Sequence, residues 1–151
     1  KTAEIVEWTK NYDPSRLVNP ASGGNHYDVG DMLDMHNYPD PAMGLFDSKR
    51  SNVLGEYGGI GLVLQDHLWE KDRNWGYVQY KTAEEATKAY VELAEKLKKL
   101  IPFGYSAAVY TQTTDVEVEV NGLITYDRKV IKLNTEQIRK VNLEISNFFE
   151  K

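Results

Sequence analysis

An α/β architecture of parallel strands with helical crossovers is predicted by two patterns. Short, mostly apolar strand-like segments each empty into a loop rich in Gly or Pro, and long amphipathic helices stand between or after them. Taken in order, Ile5, Trp8 and Tyr12 recur at helical spacing over residues 1–12, and Asp13-Pro14 breaks that run. Residues 16–21 then read as a short buried strand running into Ser22-Gly23-Gly24-Asn25. A second strand over 31–36 is stopped by Asn37-Tyr38-Pro39-Asp40-Pro41, where two prolines forbid a ladder. The third strand, 52–57, closes on Gly58-Gly59.

The strongest periodicity predicts a helix over 83–100. Ala83, Ala86, Tyr90, Leu93, Leu97 and Leu100 line one stripe, and Thr82 with Glu85 forms a capping box. Pro102 ends it, Gly104 turns the chain, and residues 105–111 follow as a fourth strand. A last helix over 135–149, capped by Asn134, turns Ile138, Val141, Ile145 and Phe148 inward. One stretch breaks the pattern: Val116–Val120 alternates, Asn121-Gly122 is a strong two-residue turn signal, and Leu123–Tyr126 can return as the second arm of a hairpin.

Composition narrows the function classes. The chain has 151 residues, enough for one domain, and no stretch apolar enough to cross a bilayer, so no membrane partner is expected. Lys plus Arg gives 18 against 23 for Asp plus Glu, a net charge of -5, which argues against nucleic acid as a partner. The absence of cysteine removes disulfides, thiolate metal sites and a cysteine nucleophile. The chain opens on Lys1 and a helix, and it reads as a piece of a longer protein whose export cannot be judged from these residues.

Chemistry in α/β folds gathers where strands end, because loops there carry polar groups on a rigid frame. The third strand ends in Gly55-Glu56-Tyr57-Gly58-Gly59, a carboxylate between glycines that let another molecule come close, and Glu56 is the leading catalytic candidate. The plain alternative is a strand-end Glu that meets solvent. The second strand delivers His36, Asn37 and Tyr38 to the same end, where His36 can donate to a hydroxyl and the Tyr38 phenol can hold Glu56 ionised. A His and a Tyr that merely fill a domain edge are the alternative. Gln112 and Asp115 follow the fourth strand with hydrogen-bonding groups suited to a sugar-like ligand, or as an ordinary polar turn. His26, Asp28, Asp31, Asp34, His36 and His67 fall in no metal-ligand spacing, so no metal is expected. The four glycines between 55 and 61 lack the spacing of a phosphate or dinucleotide loop, so no cofactor is expected. No Gly-x-Ser-x-Gly elbow is present.

Several segments in order resemble the catalytic barrel of glycoside hydrolase family 2. They are Asp13-Pro14-Ser15-Arg16, His36-Asn37-Tyr38-Pro39, Asn52-Val53-Leu54-Gly55-Glu56-Tyr57-Gly58, the run from Tyr110 to Glu117, and the run from Asn121 to Arg128. The likeness covers nearly the whole chain and is greatest to the β-galactosidase-like and β-glucuronidase-like branches. It implies the C-terminal half of a (β/α)8 TIM barrel, strands five to eight with their helices. It further implies a retaining glycosidase acting on β-linked terminal sugars with Glu56 as nucleophile. His36, Asn37 and Tyr38 then contact the sugar or the nucleophile, and Thr111-Gln112 stand where the family commonly brings a Trp. Trp75 or Tyr80 can offer a flat apolar face to a sugar ring, a core role being the alternative. A retaining enzyme needs a second, protonated group roughly 5–5.5 Å from the nucleophile. The Asn-Glu pair that supplies it in the family is not found here, so the remainder of a parent chain is expected to carry it. A polysaccharide-degrading parent would suit the periplasm or the cell exterior. A half barrel would also leave sheet edges open, so a homo-oligomer that covers them is expected. The competing reading is a non-catalytic half-barrel module that binds carbohydrate or a partner chain, and a third is an unrelated doubly wound domain.

Overall fold

The structure, a computed structural model, describes residues 1–150. Helix α1 (Thr2–Tyr12) comes first, where the periodicity placed it. Strands β1 (Met32–His36), β2 (Ser51–Gly58) and β3 (Ile60–Leu62) follow, then β4 (Val78–Tyr80), helix α2 (Ala83–Leu100), strand β5 (Tyr105–Thr111) and helix α3 (Thr135–Ser146). The strands form two parallel sheets, one of three strands in the order β1-β2-β5 and one of two, β3-β4. No helix among the described residues is long and apolar enough to cross a membrane.

The chain is α/β, but the expected half barrel of four strand–helix units is not what forms. Three local causes account for the difference. Residues 16–21 make no ladder: the backbone of Val18 instead exchanges bonds with Asp31, its N–H donating to Asp31 Oδ2 at 2.8 Å and its carbonyl accepting from Asp31 N at 2.9 Å, and Pro20 has no N–H to give. Residues 37–50, between β1 and β2, hold no helix; the segment is a loop whose Asp47 accepts the Lys49 and Arg50 backbone N–H groups. The central strand finally breaks at Gly58-Gly59, both in left-handed backbone (φ +104° and +67°), and continues as β3 in a separate sheet.

The packed centre is the α2 face laid over β2 and β3. Ala86, Tyr90, Leu93, Ala94 and Leu97 meet Leu54, Tyr57, Ile60 and Leu62, and Val141 of α3 closes the layer. Ala83, expected in the stripe, is exposed because the apolar contacts start one turn later. The caps form as read: Thr82 Oγ1 accepts from Glu85 N at 3.2 Å, and Asn134 Oδ1 accepts from Gln137 N at 3.1 Å. On α1, only Val6 is buried. Ile5, Trp8 and Tyr12, the residues that revealed the helix, are 62%, 65% and 79% exposed, with the Trp8 and Tyr12 rings stacked on the outer face.

The expected hairpin is redrawn. The tight turn falls at Glu117-Val118, where Val116 and Glu119 exchange backbone bonds of 3.1 and 2.9 Å and Glu117 takes φ +51°. Asn121-Gly122 is interior. A Cβ on Gly122 would stand 2.1 Å from Asp115 N, so the glycine serves close backbone approach rather than a reverse turn.

Candidate functional site

Parallel strands bring their C-terminal ends to one side, and the register sets what gathers there. His36 of β1 pairs with Glu56 of β2, and Gly58 of β2 pairs with Thr111 of β5. Glu56 Oε2 is 2.5 Å from the Tyr38 hydroxyl and 3.3 Å from His36 Nδ1. The phenol has one proton and a carboxylate can only accept, so Tyr38 donates to Glu56 and accepts from the Thr111 hydroxyl, 2.8 Å away. Burial, then the hydrogen bond to Glu56, pushes the Tyr38 phenol well above its ordinary range, which keeps it a donor at any physiological pH. His36 is set by its second nitrogen, with Nε2 3.0 Å from Ser22 Oγ and 3.9 Å from the buried Asp34 carboxylate. The Glu56 side chain remains 40% exposed, so a small molecule can reach it.

Beside this carboxylate stands an aromatic surface. Tyr38 and Tyr77 stack nearly parallel at 3.7 Å between ring centres, and Trp75 meets Tyr77 edge-on at 5.4 Å. Tyr77 and Trp75 keep close to half their area open. The backbone of Trp75 is laddered to the loop after β5, donating to Val118 O and accepting from Val120 N, each at 2.9 Å. Between those two contacts lies Glu119. Its Oε1 accepts from Asn121 Nδ2 at 2.7 Å. Burial raises the Glu119 carboxyl above its ordinary range, and the negative charge of Glu56 adds to the rise. The Gln112 amide acts the other way on the same group without closing a hydrogen bond, since its Nε2 is buried and has no partner within reach.

The residues singled out in the sequence therefore divide. His36, Tyr38 and Glu56 come together, with Trp75 one ring removed. Asn37 contributes its backbone N–H to Glu56 O at 3.0 Å, while its side chain turns to Asp40 O at 2.6 Å. Gln112 makes no hydrogen bond to Glu56; its backbone pairs with Asn121 O at 3.3 Å and Leu123 N at 3.0 Å. Asp115 is 5% exposed and committed inward, bound to Lys132 Nζ and Gly122 N at 2.7 Å each, so its carboxylate does not face a ligand. The glycines around Glu56 serve the interior too. A Cβ on Gly55 would strike the Asp34 carboxylate at 2.1 Å, and one on Gly58 the Tyr110 ring at 2.4 Å. Tyr80 sits in β4 against the core.

Sequence reasoning missed Tyr77 and Glu119. Tyr77 had a signal in the aromatic–Gly–aromatic run of Trp75-Gly76-Tyr77; Glu119 was hidden in an alternation that reads as a strand. Among the described residues no three His, Asp or Glu side chains converge in metal-ligating geometry. One groove of about 800 Å3 runs along α3 past Lys98, Arg139, Lys140 and Phe148 and does not include Glu56. No family model matches the chain, and no curated protein matches it.

Proposed function

We propose that Glu56 is the nucleophile of a retaining glycoside hydrolase acting on β-linked terminal sugars, in line with the resemblance of its surroundings to glycoside hydrolase family 2. The observation that carries this reading is the 2.5 Å bond from the Tyr38 hydroxyl to a half-open carboxylate at a strand end, with aromatic rings alongside. A nucleophilic carboxylate must be fixed in direction yet uncovered on one side. Tyr38 and His36 hold Glu56 Oε2, and the rest of the group faces outward.

In the reaction, a Glu56 oxygen attacks the anomeric carbon as the bond to the leaving oxygen breaks, giving a glycosyl ester that water later hydrolyses. Ordinary glycosides need a proton on the leaving oxygen, and the resemblance places that donor outside these residues. A 2,4-dinitrophenyl leaving group departs as a stable phenolate and needs no such proton. The chain itself can therefore be treated with 2,4-dinitrophenyl 2-deoxy-2-fluoro-β-glycosides of the galacto and gluco series and examined by intact and peptide mass spectrometry. A single fluorosugar ester on Glu56, absent from Glu56→Gln, is the expected result. Label on another residue, or saturable sugar binding with no label from either sugar, would remove the catalytic assignment and leave a carbohydrate-binding module.

A further inference from the structure

Glu119 lies on the loop laddered to Trp75, the Trp75 ring meets Tyr77, and Tyr77 stacks on the Tyr38 that binds Glu56; among the described residues no Lys or Arg pairs with either carboxylate. Glu56 is held by a phenol and an imidazole. Glu119 is held by one side-chain amide and approached by another, and the charged group it feels most beyond its own burial is Glu56. Lys132, whose ammonium also binds the Val120 carbonyl next to Glu119 in the chain, is closed inside the fold on Asp115. Trp75 and Tyr77 complete the surroundings with half-open rings, whose faces are electron-rich and attract C–H groups and cations but not anions. The loop that places Glu119 is tied to Trp75 by two 2.9 Å backbone bonds and to Val116 by the turn at 117–118.

We propose that Glu119 sets the charge class of the ligand taken at Glu56: pyranosides without a carboxylate, neutral or aminated, are accepted, and uronic acids are refused. The inference rests on the glycoside reading of Glu56 and narrows it, since the resemblance alone spans galactoside-like and glucuronide-like relatives. A uronate would bring a further negative charge beside two carboxylates that, among the described residues, have no Lys or Arg partner. Unit charges several ångströms apart at a protein surface repel enough to weaken binding by about tenfold, and salt screens that repulsion. A hydroxyl can donate to Glu119, and a protonated amine does so with charge assistance.

The test titrates the whole chain with methyl β-D-glucopyranoside, methyl β-D-galactopyranoside, methyl 2-amino-2-deoxy-β-D-glucopyranoside and methyl β-D-glucuronide. Binding is followed through the indole N–H resonance of Trp75. The neutral and amino sugars are expected to bind about tenfold or more tightly than the glucuronide in low salt, with the gap shrinking in 1 M NaCl. Glu119→Gln keeps shape and the Asn121 contact but removes the charge, and it should erase most of the discrimination and the salt effect. A residue that merely braced the loop would lower all affinities together and leave their ratio unchanged. Equal affinity for glucuronide, a ratio that ignores salt and Glu119→Gln, or no saturable sugar binding overturns the inference. Fluorosugar labelling of Glu56 together with any of these leaves the catalytic reading standing and sinks this one alone.

Discussion

Asp115 and Glu56 are both carboxylates placed just where a strand of the same sheet gives out, and the fold treats them in opposite ways. Asp115 is closed: Lys132 Nζ reaches it at 2.7 Å and also donates to the Leu62 and Val120 carbonyls at 3.0 and 2.9 Å, while Gly122 N supplies a further bond. Glu56 has one oxygen held and its side chain 40% open. Availability, rather than position along the chain, separates these two carboxylates. The sharpest way to break this contrast is to damage each in turn. Lys132→Ala strands a buried carboxylate and two carbonyls, a loss of about 3–5 kcal/mol by analogy with other broken buried pairs. That is a large share of a stability of about 5–15 kcal/mol. Glu56→Gln, at a half-open group, should stay within about 0.5 kcal/mol of the parent. Urea midpoints read both. Similar losses at the two positions would show that Glu56 is an anchor as well.

A smaller effect is expected from Tyr38→Phe. The ring remains to stack on Tyr77, but the donors and acceptors linking Glu56 to Thr111 are lost. Water can replace the missing donor at an open carboxylate, so stability should fall by only about 1 kcal/mol. Glu56, then held by His36 alone, should take up fluorosugar about tenfold or more slowly, because misplacement of a reacting group is costly in rate. A stability loss without any change in labelling would make Tyr38 a packing residue and weaken the idea that Glu56 is held for chemistry.

The two regions were also unequally legible in the sequence. Periodicity and caps revealed α2 and α3, apolar runs closed by Gly or Pro revealed β1 and β2, and the turn at Pro102 and Gly104 announced β5, because those signals are local. Strand ends pointed to Glu56 and Tyr38, since parallel strands must deliver their ends together. The closed region was opaque. Asp115 and Lys132 are 17 residues apart and meet only through the fold. Residues 16–21 look like a strand but lack a neighbour to pair with, and β3 and β4, three residues each, are too short to show a period. Asn121-Gly122 gave the right flexibility for the wrong reason: the glycine is needed for contact with Asp115, which no local pattern encodes. The half-barrel expectation failed at these places, where segment identity depended on partners rather than on residue type.

Asp31 is an intermediate case, and it yields the gentlest prediction. Its carboxylate lies outside the core yet accepts from Lys10 Nζ at 2.6 and 2.7 Å and from Val18 N at 2.8 Å, tying α1 to the segment before β1. The Lys10 bond, followed by the Val18 N–H, holds its pKa below the ordinary 3.8. The unfolded chain therefore binds a proton more readily than the folded one, so the stabilising contribution is complete above pH about 4 and drains away as pH falls through the depressed folded value. Asp47 and Asp127 are depressed in the same direction, Asp47 first by the Lys49 N–H and Asp127 first by His67. Urea midpoints taken from pH 6 down to pH 2 should decline below pH 4, and Asp31→Asn should flatten part of that decline while leaving the curve above pH 5 nearly parallel to the parent. Burial opposes this at Asp115, whose carboxyl is pushed upward, so Asp115→Asn should not flatten the acid limb. An unchanged acid limb in Asp31→Asn would mean that the Lys10 contact contributes nothing in solution, as for many exposed pairs.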